Sequence, residues 1–319
     1  MRRRPMIAGL ASAVLDAPTA TRAAPRPGMP PATILVVGVG PANLAPRGLR
    51  HGMAELGYVE GRDFSIPFYA GKLAELMPEL ERRPVDVIFA VASGAVAAAR
   101  RATRTVPVVA VDLETEPVAE GLIKSFARPG GNLTGLFVEQ SALAEKWLEL
   151  LNEVIPGIAR LAVLRDPDLG SGPWWAIESA AKSRKLQLHG FALNVARLER
   201  VFADIEDFTP NALVLLSSPL VVERRAALAA LALKAVLPSI TLFRVYAEAG
   251  GLMTYGPDPF ALGKQAAGHV DRILNGARPA DLPIHQPTKF ELVINQKTAD
   301  ALDIAIPPAL LARADKVIR

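Results

Sequence analysis

Short apolar runs alternate with helical repeats along almost the whole chain, and this alternation restricts the fold more than any other feature. Residues 33–37 (TILVV), 85–91 (VDVIFAV) and 106–111 (VPVVAV) are apolar at nearly every position rather than at every second one. Strands of that kind are buried on both faces, as in the middle of a parallel sheet. Between them, residues 44–56 read as a helix closed by Gly57, and residues 63–69 read as a further strand. Leu73, Leu76, Met77 and Leu80 recur at i, i+3, i+4 and i+7, which lays one helix face over that sheet. Residues 94–104 form an alanine-rich helix that turns Arg100, Arg101 and Arg104 to water. Units of this type join parallel strands by right-handed crossovers, so the fold class is α/β.

The alternation restarts after Gly135. Leu143, Trp147, Leu150, Leu151 and Val154 make one apolar stripe on a helix that ends at Pro156-Gly157. Strands are expected at residues 160–164, 187–193, 212–216 and 239–242, with helices at 174–185, 198–208 and 220–235. Residues 250–256 (GGLMTYG) read as a strand and 259–274 as a long helix. Residues 278–287 read as a Pro-containing crossing and 290–295 as another strand, and two short helices end the chain. At 319 residues, half of them apolar, the chain is long enough for two cores. Two similar lobes with Gly- or Pro-marked passages between them describe a clamshell that closes by hinge bending.

The first residues read as an export signal. Arg2-Arg3-Arg4 is a basic start, residues 6–15 (MIAGLASAVL) are an apolar core too short to span a bilayer, and Thr21-Arg22-Ala23 ends in a small residue. The expected organisation is therefore a signal peptide at 1–23 and a Pro-rich linker at 24–32. Lobe 1 then takes 33–134 with 257–280, and lobe 2 takes 135–256 with 281–319. Arg2, Arg3, Arg4 and Arg22 against Asp16 put +3 of the formal +4 charge ahead of Ala24. A nucleic-acid reader carries its basic patch in the folded body, so nucleic acid is not an expected partner. There is no cysteine, and the four histidines (His51, His189, His269, His285) show no helical i, i+4 spacing. Neither a thiolate nucleophile nor a metal site is expected.

Residues 106–135 hold the most informative stretch. A buried strand ends at Asp112, an acidic loop (Asp112, Glu114, Glu116) follows, and residues 118–126 read as a brief helical piece before Pro129-Gly130-Gly131. Polar groups just past the carboxyl end of a strand stand where open α/β sheets bind ligands. These carboxylates can do acid/base work or hold a ligand ammonium, or they can simply be solvated. Residues 36–44 (VVGVGPANL) resemble a dinucleotide turn, but Asn43 replaces its third glycine and no clear acidic residue ends the second strand. Ser93-Gly94 opens a helix after the third strand; Ser93 can cap that helix, or its hydroxyl and the helix-start amides can bind a carboxylate. In the second lobe Asp166, Trp174 and Ser217 follow strands, as does Phe243. Trp174-Trp175 can stack on a planar ligand or cover the core.

Several segments taken together resemble one family. They are Gly57-Tyr58-Val59-Glu60-Gly61, residues 128–135 (RPGGNLTG), residues 250–256 (GGLMTYG) and residues 282–295 (LPIHQPTKFELVIN). Their order and spacing are similar to those of bacterial ABC-transporter substrate-binding proteins of the tryptophan/tyrosine-uptake type, with a type I periplasmic-binding-protein fold. That resemblance implies two Rossmann-like lobes with parallel sheets joined by a three-crossing hinge, a small-molecule solute bound between them, and a cognate ABC permease in the inner membrane. It implies no catalysis and no cofactor. The chain departs from the family pattern at residues 40–43 (GPAN), at Glu116-Pro117-Val118 where Asp-Pro-Val is usual, and at Trp174-Trp175.

The expectation is thus a periplasmic, monomeric solute-binding component of an ABC importer, taking an aromatic or other amino acid. The expected contacts are Asn43, Ser93, Gly94, Asp112, Glu116, Asp166, Trp174, Ser217 and Phe243. Two other readings stand beside it: a sensory or regulatory binding module without transport, and a nucleotide-dependent doubly wound enzyme.

Overall fold

The structure, a computed structural model, describes residues 30–38 and 43–319. The expected signal peptide and most of the linker lie outside the described residues, as do residues 39–42 of the first strand–helix turn. β1 (Ala32–Val37) is the first apolar run, and Ile34, Leu35, Val36 and Val37 are completely buried. It leads through α1 (Leu44–Glu55), β2 (Phe64–Ser65), α2 (Leu76–Arg82), β3 (Val87–Val91) and α3 (Ser93–Ala102) to β4 (Val108–Asp112) and β5 (Leu133–Phe137). These strands form one sheet in the order β2-β1-β3-β4-β5, parallel throughout. Every residue of β3, β4 and β5 is buried, as the unbroken apolar runs require.

α4 (Gln140–Val154) opens the second unit. β6 (Arg160–Arg165), α5 (Gly172–Ser183), β7 (Gln187–Ala192), α6 (Leu198–Asp207) and β8 (Ala212–Leu215) follow. Next come α7 (Pro219–Glu223), α8 (Arg225–Lys234), β9 (Ser239–Thr241), α9 (Val245–Glu248) and β10 (Met253–Gly256). α10 (Pro259–Leu274) leaves this unit, and β11 (Glu291–Asn295), α11 (Gln296–Ala301), α12 (Pro308–Arg313) and β12 (Lys316–Ile318) return to it. The second sheet has the order β12-β11-β10-β9-β8-β6-β7. Only β10 with β11 is antiparallel, because the chain comes back from the first unit running the other way.

α10 packs on α1 and so belongs with the first sheet. The two backbones touch where both helices carry glycine: a Cβ on Gly263 would lie 1.9 Å from the Ala45 carbonyl oxygen, and one on Gly48 would lie 2.0 Å from that of Phe260. Tyr58 Oη adds a 2.7 Å bond to Asp271 Oδ1. The chain then runs along the free edge of β5, where His285 N donates to Gly135 O (2.8 Å) and Phe137 N to His285 O (3.1 Å). The chain therefore changes sheets after Phe137, after Gly256 and after His285, whereas the sequence places these changes at 134/135, 256/257 and 280/281.

Some local expectations change. Residues 118–126 coil into turns rather than a helical piece, since Gly121 stands at φ 67, outside the right-handed helical region. The expected strand at 63–69 shrinks to β2 and a single bridge between Val36 and Phe68. The helix at 220–235 breaks at Arg224 into α7 and α8. β12 and α9 are too short to show as a periodic pattern. His269 and His285, remote in sequence, stand with ring centroids 4.7 Å apart, and His269 Nε2 donates to the Pro283 carbonyl at 3.0 Å. Among the described residues no helix is long and apolar enough to cross a membrane. No group of three His, Asp or Glu among them could hold a metal ion.

Candidate functional site

A cavity of about 250 Å³ lies where the carboxyl ends of strands from the two sheets meet. Val91 ends β3 and Ala92 follows it, while Val111, Leu113 and Glu114 line the cavity from the end of β4 and the loop beyond. Opposite them, Pro219, Val222 and Glu223 belong to α7, and Phe243 follows β9. Ala45 and Pro259 close it from the first turns of α1 and α10. In a parallel sheet this end carries the strand-to-helix loops, so side chains there are free to meet a ligand.

The acidic loop is built by Asp112. Its carboxylate is fully buried; Oδ1 accepts the amides of Glu114 (3.0 Å) and Thr115 (3.1 Å), and Oδ2 accepts the Thr115 hydroxyl (2.6 Å). An Asp that binds the backbone two residues on is an Asx turn, and here it presents Glu114 at the cavity. Glu114 is 3% exposed. Its Oε1 accepts from Ser217 Oγ at 2.8 Å and its Oε2 from the Ser93 amide at 3.2 Å. Burial, and after it the neighbouring Glu114 charge, push Asp112 up from 3.8 to about 8. Burial raises Glu114 as well. The two carboxyls therefore keep protons above the usual carboxylate range.

Ala92, between β3 and α3, stands at φ 71 and ψ 158, a region that L-residues rarely adopt. Strain of this kind costs on the order of 1–3 kcal/mol and collects at ligand clamps. Ala92, not Ser93, is the residue at the N-cap position of α3. The Ser93 side chain does not cap that helix: its Oγ is buried with no hydrogen-bond partner.

Of the nine residues expected from sequence, Phe243 lines the cavity, and Ser93 and Ser217 hold Glu114. Asp112 shapes the loop, as described. Glu116 Oε1 accepts the amide of Gln140, the first residue of α4, at 3.1 Å, and its side chain packs against Gly172 at the start of α5. Burial raises its pKa also. Glu116 thus fastens the loop to the second unit, with its charge at a helix N-terminus. Asp166, Trp174 and Ser217 line a separate recess of about 10 Å³, room for about one water. Trp174 is half-buried over Gly190 with the Arg165 guanidinium 5.5 Å from its ring, whereas Trp175 is 56% exposed. Asn43 is exposed in the left-handed conformation (φ 55) at the start of α1, and Gly94 is exposed on α3. Neither lines the cavity. Glu114 belongs to the acidic loop legible in the sequence, but nothing local singles it out from Asp112 and Glu116. Ala92, Val222 and Pro259 also line the cavity and carry no polar signal in the sequence.

Comparison with known proteins agrees with this fold. A curated relative, the tyrosine-binding protein of Clostridioides difficile (strain R20291), is 23% identical over 276 residues, covering 82% of this chain and 76% of its own. A conserved domain protein from Vibrio cholerae O1 biovar El Tor superposes with a TM-score of 0.82 at 25% identity, over 90% of this chain and 99% of that one. An ABC domain from Streptococcus pneumoniae, solved in complex with L-Trp, also gives 0.82, at 23% identity over 91% of this chain and 100% of that one. Residues 34–318, both sheets and the cavity included, match the family model described as ABC transporter substrate binding protein. The chain belongs to that family, as the solute-binding, non-enzymatic component of an ABC importer.

Proposed function

We propose that this protein is a periplasmic receptor that closes two lobes over a small organic solute, an aromatic or other amino acid, and presents it to a cognate permease in the inner membrane. The observation that carries this reading is the cavity itself: apolar walls drawn from both sheets around one buried carboxylate, Glu114. Lobe 1 comprises the first sheet with α10, and lobe 2 the second sheet. They move as units about the three passages of the chain. Glu114, Phe243 and Ser93 meet the solute, and Ser217 locks the closed state. The basic, apolar leader directs export, and the receptor works as a monomer. The relatives' binding of tyrosine and L-Trp supports the solute class.

Binding energy goes into the closed state, which the permease then reads. A thermal-shift screen of amino acids, aromatic acids and nucleosides on the leaderless protein tests the reading. Saturating ligand raises stability by RT ln(1 + [L]/Kd), about 2.7 kcal/mol at a hundredfold excess over Kd. Small-angle scattering with the hit is expected to show compaction. An unchanged radius of gyration counts against closure, and a shift by a dinucleotide alone overturns the transport reading.

A further inference from the structure

We propose that the first unit carries a docking surface for an anionic lipid membrane at the amino end of its sheet, where Arg101, Arg104, Lys124 and Arg128 hold the receptor. The proposal goes beyond solute binding and does not depend on which solute the cavity takes.

The surface follows from how the chain passes from β4 to β5. Residues 113–132 form no crossover helix; they descend as turns beside α3 to the amino end of β5. Two contacts fix them there: the Arg100 guanidinium donates to the Leu122 carbonyl, and Asn132 Nδ2 donates to that of Val106 at 2.8 Å. Lys124 and Arg128 thereby join Arg100, Arg101 and Arg104 on one side of the unit, and all but Arg100 are exposed. Among the described residues none of these five forms an ion pair. Glu120, the acid of residues 118–131, turns instead to the Glu116 amide and to Gly170 of the second unit. Glu79 on α2 is already held by Arg82 and Arg83. Burial, and after it the Arg104 charge, push the Arg100 guanidinium below its ordinary value. Like charges left facing one another disfavour the charged form, and an anionic surface offsets this.

The place and the company of these cations select lipid over the permease. α3 leaves the cavity wall at Ala92 and runs ten residues, about 15 Å. The cations therefore face away from the cleft mouth, where a permease reads closure. Protein interfaces centre on large buried anchors, and this surface offers none. Ala102, Leu122 and Phe126 pack against the core of the first sheet, and Thr103, Thr105, Ser125 and Ala127 stand between the cations. Anionic headgroups attract such a cluster without any pocket, each Lys or Arg raising affinity about fivefold. β1 starts at this same end of the parallel sheet. The residues ahead of Pro30, with their basic start and short apolar run, join the body there.

Vesicle co-sedimentation of the receptor lacking residues 1–23 tests the proposal; both sheets lie wholly after that segment. Vesicles of equal parts phosphatidylglycerol and phosphatidylcholine are expected to bind it, with binding lost as salt rises to about 0.5 M. Phosphatidylcholine alone is expected to bind at least about tenfold more weakly. Arg101→Gln, Arg104→Gln, Lys124→Gln and Arg128→Gln together are expected to weaken anionic binding by about a hundredfold or more. The same loss of charge at exposed positions of the second unit, Lys182→Gln, Arg197→Gln, Lys234→Gln and Lys297→Gln, is expected to cost less than about tenfold. Melting curves report folding, and Arg104→Gln and Arg128→Gln singly, at about fivefold each, keep the surface testable if the fourfold variant does not fold. Equal binding to both vesicles, equal losses in the two fourfold variants, or no binding to anionic vesicles overturns the proposal. If poly-L-glutamate binds the surface while anionic vesicles do not, its partner is an acidic protein segment and the lipid assignment fails. The thermal-shift screen decides solute binding separately, because none of these cations lines the cavity.

Discussion

Ser217 Oγ donates to Glu114 Oε1 at 2.8 Å, joining the loop after β8 to the loop after β4 across 103 residues of chain. Both ends are buried, at 6% and 3% exposure. If the two units close over solute as proposed, this bond forms on closure and biases the receptor towards the state that holds solute.

Ser217→Ala removes that bond and leaves the fold of each unit intact. A buried hydrogen bond of this kind contributes about 1 kcal/mol, so ligand affinity is expected to fall roughly fivefold. The melting temperature of the ligand-free receptor is expected to change far less. Titration calorimetry checks this, and unchanged affinity would show that closure does not use the contact.

Asp112 makes stability depend on pH in an uncommon direction. The folded chain keeps its proton up to about 8, whereas the unfolded chain loses it near 3.8. Between those values the unfolded state binds fewer protons, so this contribution is complete below the lower value and declines as pH rises towards the upper one. The decline is on the order of 1 kcal/mol per pH unit at most. Asp112→Asn keeps an acceptor for the Glu114 and Thr115 amides but cannot titrate there. Urea midpoints of the ligand-free protein at several pH values are expected to show a flatter profile for the variant. An unaltered slope would place the proton elsewhere.

Glu116→Ala separates fastening from binding. Losing the carboxylate at the Gln140 amide is expected to cost about 1 kcal/mol, the usual value for a helix cap. It should leave solute affinity nearly unchanged, because Glu116 is not part of the cavity wall. A large drop in affinity with an unchanged melting temperature would reverse that assignment.

Two glycines on α10 are expected to respond in opposite ways. Gly263→Ala drives a methyl to 1.9 Å from the Ala45 carbonyl oxygen, forcing α1 and α10 apart at a cost of about 2 kcal/mol or more. Gly268 has nothing within 4 Å of an added Cβ, so Gly268→Ala should stabilise the helix by about 0.5–1 kcal/mol. Denaturant midpoints of the two variants check both signs.

The βα alternation was legible because a strand buried on both faces has to be apolar at nearly every position, as β1, β3 and β4 are. The return of α10 to the first sheet was legible only as Gly- and Pro-marked passages. The sequence does not show that Gly48 and Gly263 let two backbones touch. The brief helix expected at residues 118–126 failed on one dihedral, that of Gly121. β12 escaped notice because three residues carry no period.

The candidate site was harder to read. Asp112, Glu114 and Glu116 alternate along one short loop, and nothing local distinguishes a carboxylate that shapes the loop from one that lines a cavity or one that caps a distant helix. The sequence by itself determined the class of fold and the end of the sheets where ligands bind, since both follow from hydrophobic periodicity and strand direction. Only the tertiary structure decided which acid of this loop lines the cavity, because Ser93, Ser217 and Gln140 come to these carboxylates from other elements, Ser217 from 103 residues along the chain. The strength of a buried charge depends on such neighbours, and their arrangement is a property of packing rather than of any one segment.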